Sequence, residues 1–174
     1  MMRHSLLVLF LCVFLFSCSS NSRQSNTKTN SQLSEQQLIA INRKLLENEK
    51  KNIDDFVKSK GWQMKTTSTG LRYMFVKHGT GPLAKTGQVA TIAYTIRLMN
   101  GPVVYSSEQS GLKSFEIGHG GVVAGLEEGI ILLKVGDKAK FILPSHLAYG
   151  LTGDSHKIPP HTPIIYTVEL VNLN

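Results

Sequence analysis

The chain has 174 residues, 41% hydrophobic and 18% charged, with a formal charge of +7 and two cysteines. That is enough for one domain with one core plus appendages, and too few cysteines for a disulfide framework. The positive excess is spread: residues 18–60 hold eight basic and five acidic side chains, residues 61–174 ten and seven. No basic stripe with interleaved aromatics is present, so nucleic acid is not an expected partner.

Arg3 and His4 precede an unbroken apolar run from Leu6 to Phe16. Eleven residues are too few to span a bilayer, which takes about 20; they fit the apolar region of a signal peptide. Leu15-Phe16-Ser17-Cys18 resembles a bacterial lipobox. The reading is a lipoprotein signal over 1–17, with acylated Cys18 as the mature N-terminus and membrane anchor. Cys12 would leave with the signal. Residues 18–33 are almost wholly polar and read as a flexible tether. The absence of an acidic cluster after Cys18 favours a periplasm-facing lipoprotein, with the outer membrane of a Gram-negative bacterium as the expected site.

Residues 34–61 form a stalk helix. Ser34 is its N-cap, Gln37 completes a capping box, and Leu33 and Leu38 occupy staple positions. Gly61 is a plausible terminator. Apolar positions recur through Ile53, Phe56 and Val57, but Glu47 to Asn52 is too polar for a sustained coiled coil. Either the C-terminal half packs on the following domain, or the helix is a dimerising or spacing stalk.

Residues 62–174 read as one α+β domain: an antiparallel sheet packed on one short helix. Strands are expected at Leu71–Lys77, Val89–Leu98, Val103–Tyr105, Ser114–Ile117, Lys138–Leu143 and Ile164–Leu173, and a helix at Ala124–Leu133. In the longest strands alternate residues share a face: Ala90, Ile92, Tyr94, Ile96 and Leu98; Ala139, Phe141 and Leu143; Ile164, Tyr166, Val168 and Leu170. No spacing suits a βαβ crossover.

The chain carries few familiar catalytic patterns. His78, His119, His146, His156 and His161 form no i,i+4 pair and have no cysteine neighbours, so no metal site is expected. There is no Gly-x-Ser-x-Gly elbow. Gly118-His119-Gly120-Gly121 precedes a helix, but Val123 stands where a dinucleotide fingerprint needs glycine. Adjacent Glu127 and Glu128 suit the first turn of the helix better than acid–base chemistry. What remains is a set of aromatic and aliphatic residues around glycine-rich loops, as in an apolar binding pocket.

From Gly70 onward several motifs occur in one order: Gly79-Thr80-Gly81-Pro82; Val89-x4-Tyr94-Thr95; Val122-Val123-x-Gly125-Leu126-Glu127-Glu128-Gly129; Ile142-Leu143-Pro144; Ala148-Tyr149-Gly150; Ile158-Pro159-Pro160; and Val168-Glu169-Leu170. Together they resemble the FKBP-type peptidyl-prolyl cis-trans isomerases. With the tether and helix, the chain also resembles gliding-motility-associated lipoproteins of this family in Bacteroidota.

The resemblance implies a half-barrel sheet wrapped around the short helix, with a proline pocket between them and no cofactor. It implies that Tyr94, Val104, Val122, Val123, Leu126, Ile158 and Tyr166 line the pocket, with Tyr105 and Phe115 beside them. The Val123 N–H and the Tyr149 hydroxyl would hold substrate carbonyls. Val104-Tyr105 replaces the family's aromatic–aspartate pair, Leu126 its pocket-floor tryptophan, and Lys113 stands near the place of a lost aromatic. The expected partners are proline-containing or unfolded polypeptides. The expected function is isomerisation of X-Pro bonds in exported envelope proteins, weak and broad in preference. The alternatives are a proline-peptide-binding chaperone of low activity, or an assembly subunit of an envelope or motility machine.

Overall fold

A computed structural model describes residues 34–174. The expected signal and tether, with Cys18, lie outside the described residues. Helix α1 (Glu35–Ser59) begins as its sequence dictates: Ser34 Oγ accepts from the Gln37 N–H at 3.3 Å, and the Gln37 side chain accepts from the Ser34 N–H at 2.8 Å. No helix among the described residues is long and apolar enough to cross a membrane.

The sheet has seven strands: β1 (Lys65–Thr66), β2 (Arg72–Lys77), β3 (Val89–Leu98), β4 (Val103–Ser106), β5 (Lys113–Glu116), β6 (Lys138–Leu143) and β7 (Ile164–Leu173). The spatial order is β1-β2-β6-β7-β3-β4, with β5 sharing the outer edge of β3. Every pairing is antiparallel. β3 is long enough to pair with two strands in succession, β5 along Val89–Ile92 and β4 along Thr95–Arg97.

The short helix α3 (Ala124–Ile130) packs on the inner face of the sheet. Gly125 and Gly129, one turn apart, permit the approach. A methyl group at Gly125 would meet the Leu143 side chain at 2.5 Å, and one at Gly129 the Phe141 ring at 2.8 Å. Leu126, Ile130 and Leu133 join Phe141, Leu143, Ile164 and Val168 in the main core, all fully buried.

The outer face is covered too. Ile142 and Ile165, which alternate with the inward residues of β6 and β7, are buried against Ile53 and Phe56 of α1, with Trp62 and Met64 alongside. The C-terminal half of α1 therefore packs on the sheet. Its N-terminal half leaves Leu38, Ile39, Ile41, Leu45 and Leu46 exposed. Two polar contacts fix the docking. Asp54 accepts from Arg72 Nη2 at 2.6 Å and Nε at 3.1 Å, and Glu49 accepts from the Ser145 N–H and hydroxyl at 2.5 and 2.6 Å.

Three features differ from the sequence expectation. The α3 helix stops at Ile130, and the following residues tighten into a turn through the Leu132 N–H to Gly129 and Leu133 N–H to Ile130 bonds. It is not the only short helix: α2 (Ser107–Ser110) follows β4, and a 3₁₀ turn spans Ser145–Leu147. The two-residue β1, paired to the start of β2, was not expected from pattern, because a pair of residues carries no periodicity.

Candidate active site

A cavity of about 520 Å³ opens at the end of the sheet, between α3 and the long β6–β7 loop. Tyr94 and Ile96 reach it from β3, Tyr166 from β7, Tyr105 from β4, Lys113 from β5, Gly120 to Val123 from the segment before α3, and Tyr149, Asp154 and His156 from the loop. Strand alternation explains the first group: Tyr94 and Ile96 share the inner face of β3, opposite Val168 and Tyr166 of β7. The Tyr94 and Tyr166 rings lie 6.2 Å apart at 41°.

The expected site residues separate into two layers. Tyr94, Tyr105, Val122, Val123, Tyr149 and Tyr166 line the cavity. Val104, Phe115, Leu126 and Ile158 are buried in the core and are not among the lining residues. Sequence reasoning did not name Ile96, Gly120, Gly121, Asp154 or His156 as site residues, and met Lys113 only as the residue near the place of a lost aromatic. The β3 alternation already put Ile96 beside Tyr94, but nothing periodic marks the loop residues.

The segment before α3 is held by a carboxylate. Glu127 accepts from the Gly118 N–H at 2.7 Å and the Gly120 N–H at 3.1 Å. Glu128 accepts from the Thr69 hydroxyl at 2.6 Å. Val123 is the N-cap of α3, and its carbonyl accepts from Leu126 and Glu127. Among the described residues its N–H makes no backbone or side-chain hydrogen bond, as expected for a donor at a helix start. That donor belongs to a residue lining the cavity.

The tyrosines differ in their partners. Tyr94 shares a 3.0 Å hydrogen bond with Ser110. The Tyr105 hydroxyl donates to Asp154. Burial pushes the Tyr166 phenol well above its ordinary value, with Tyr149, Tyr94 and a weak polar contact to Tyr149 adding to the shift. Burial also pushes Tyr149 up, reinforced by the charge of Asp154, while that contact with Tyr166 opposes it. Tyr94 and Tyr105 engage their hydroxyls in hydrogen bonds, whereas among the described residues the Tyr149 hydroxyl makes none of ordinary length and can donate to a ligand.

Asp154 organises the loop. Its Oδ1 accepts from the His156 and Ile158 N–H groups at 2.9 and 2.8 Å, and its Oδ2 from Tyr105. Burial would raise its pKa, but the bonds from Tyr105 and from the Ile158, His156 and Lys157 N–H groups prevail and hold it at about 2. Lys157 donates to the Val104 carbonyl at 3.0 Å and lies over the Tyr105 ring at 5.1 Å. Three contacts thus pin the loop to β4. Gly153 has φ +70°, and a methyl group there would meet the Ile158 carbonyl oxygen at 2.2 Å.

The family model for the FKBP-type peptidyl-prolyl cis-trans isomerase matches residues 81–171, which contain every residue of this cavity. The chain belongs to the FKBP-type peptidyl-prolyl cis-trans isomerase family. A probable FKBP-type isomerase of Haemophilus influenzae is 35% identical over 116 residues, 67% of this chain and 48% of that protein. FK506-binding protein 1 of Debaryomyces hansenii is 44% identical over 92 residues, 52% of this chain and 81% of that protein. The crystal structure of AtFKBP13 superposes with a TM-score of 0.62 at 30% identity, covering 64% of this chain and 99% of that one. The chain spans about half the length of the bacterial relatives it matches. Within this FKBP domain, the position that the resemblance gives to an aspartate is Tyr105, and the carboxylate at that wall comes from the facing loop instead.

Proposed function

We propose that this FKBP domain catalyses cis–trans rotation about X-Pro bonds in exported polypeptides, tethered to the membrane through lipidated Cys18. The observation that carries the reading is a pocket lined largely by aromatic and aliphatic side chains, with two donors that have no ordinary-length hydrogen bond among the described residues: the Val123 N–H and the Tyr149 hydroxyl. The barrier to rotation, ~18–20 kcal/mol, comes from amide resonance. A proline ring seated over Tyr94, Tyr166 and Val123 leaves water behind. The twisted amide is less polar than the planar one, so a dry wall disfavours it less than solvent does. Fixed donors on the flanking carbonyls hold the peptide while its prolyl bond turns. No proton is transferred and no bond is cut, so the reaction asks only for the phenols, aliphatic chains and backbone donors that make up most of the lining.

A second reading is a domain that binds proline-containing or unfolded segments with little turnover. Tyr105 at the aspartate position favours it, because its hydroxyl is already engaged by Asp154. A protease-coupled assay on a Leu-Pro peptide separates the two. The isomerase reading expects catalysis above the buffer rate, reduced ~10-fold or more in a Tyr149→Phe/Tyr166→Ala variant by loss of a hydrogen bond and of apolar wall. Peptide binding without any acceleration would establish the second reading.

A further inference from the structure

Three charge-bearing side chains line the pocket: Asp154, Lys113 and His156. They are not mixed. Asp154 stands with Tyr105, on the wall made by β4 and the β6–β7 loop. Lys113 comes from β5, which pairs with the opposite end of β3 from the stretch that meets β4. The carboxylate and the lysine thus enter the pocket from different elements.

The carboxylate is built into the fold. Asp154 Oδ1 is saturated by two backbone N–H groups, while Oδ2 accepts one bond from Tyr105 and keeps one lone pair free. Its partners are neutral donors, and it makes no ion pair among the described residues. The nearest loop cation, Lys157, turns its ammonium to the Val104 carbonyl instead. A carboxylate so held keeps its full charge and cannot swing away.

We propose that Asp154 is a specificity residue, favouring a cationic side chain, lysine or arginine, on the residue that precedes the proline. This rests on the isomerase reading given above. In that reading a substrate carbonyl sits on each free donor. Val123 lies on the wall with Gly120 and Gly121, whereas Tyr149 belongs to the loop and feels the Asp154 charge. A peptide whose prolyl carbonyl rests on the Val123 N–H has the preceding carbonyl at the Tyr149 hydroxyl. The side chain of that preceding residue then lies on the Asp154 wall.

The test uses the soluble chain beginning after Cys18 and tetrapeptides that differ only ahead of proline: lysine, norleucine (the same stem without its charge) and glutamate. The expected order of kcat/KM is lysine, norleucine, glutamate, with lysine about three- to fivefold above norleucine, the range of a partly exposed charge pair. The ratio should fall toward one as salt is raised to about 0.5 M, where charges separated by more than a few ångströms are screened. Asp154→Asn removes the charge but keeps an oxygen for the two backbone donors, and should bring the lysine-to-norleucine ratio to one. Tyr105→Phe keeps the charge and frees Oδ2, and should leave the ratio at least as large as in the parent. Equal rates for lysine and norleucine, or an unchanged ratio in Asp154→Asn, overturn the inference while leaving the isomerase reading intact. Dissociation constants of the same peptides are measured alongside. If no peptide is turned over, the isomerase reading fails, and the binding ratio decides the Asp154 inference by the same criteria.

Discussion

One carboxylate, Asp154, holds a turn whose next residue, Ser155, has φ +62°, a left-handed conformation that needs support in a non-glycine residue. Its pKa lies at about 2, below the ordinary 3.8. A depressed folded-state value means the ionised form stabilises the fold. That contribution is complete above pH 3.8 and is lost as pH falls through about 2. The loop should therefore loosen between these values while the sheet persists. The amide resonances of His156 and Ile158 should titrate with a midpoint near 2, and Asp154→Asn should abolish that transition. A midpoint at the ordinary carboxylate value would show that the three bonds to Asp154 do not form in solution. Asp154 is also the clearest gap in what the sequence disclosed. Tyr94 and Tyr166 were legible because they fall on the inward side of alternating strands. Asp154, Lys113 and His156 reach the pocket from loop or strand-end positions, where nothing periodic points to them.

Helix α1 reaches the site without touching it. Glu49 accepts both the N–H and the hydroxyl of Ser145, and the Ser145 carbonyl in turn accepts the Ala148 and Gly150 N–H groups at 3.0 and 2.8 Å. The turn bearing Tyr149 is thus anchored to the stalk. Removing the carboxylate in Glu49→Ala leaves a buried serine without its acceptor, at a cost of about 1–2 kcal/mol. The expected result is a lower Tm with a larger fractional fall in kcat/KM than in Asp54→Ala, which weakens the same docking through Arg72 at the start of β2. Equal falls would show that α1 supports the fold and not the Tyr149 turn. The helix itself was readable from Ser34 and Gln37, and the strands β3, β6 and β7 from alternation. What covers the outer face was harder to read. Ile142 sits between Phe141 and Leu143, and Ile165 between Ile164 and Tyr166, so each interrupts a pattern whose other members already fill one face. An apolar residue on the second face of a strand signals a second covering layer. Here that layer is the part of α1 with Ile53 and Phe56, whose packing on the domain was one of the two readings the sequence left open.

Inner and outer layers share strands β6 and β7, so the molecule should lose both together. Phe141 and Tyr166 face α3, while their neighbours Ile142 and Ile165 face α1. Detaching α1 would expose Ile142 and Ile165, at about 25 cal/mol per Å² of apolar surface, on the central strands of the sheet. The single tryptophan reports on this junction. Trp62 follows α1, its N–H bonds to the Val57 carbonyl at 3.1 Å, its ring meets Phe56 edge-on at 5.7 Å, and the Lys140 ammonium of β6 lies 4.5 Å from it. In urea, Trp62 fluorescence should change at the same midpoint as the near-ultraviolet dichroism of the pocket tyrosines, because both layers rest on the same pair of strands. A fluorescence transition well ahead of the tyrosine signal would mean that α1 leaves first and that the sheet and pocket hold without it. In that case a chain beginning at Trp62 should retain the activity of the longer form, and Glu49→Ala should leave kcat/KM unchanged.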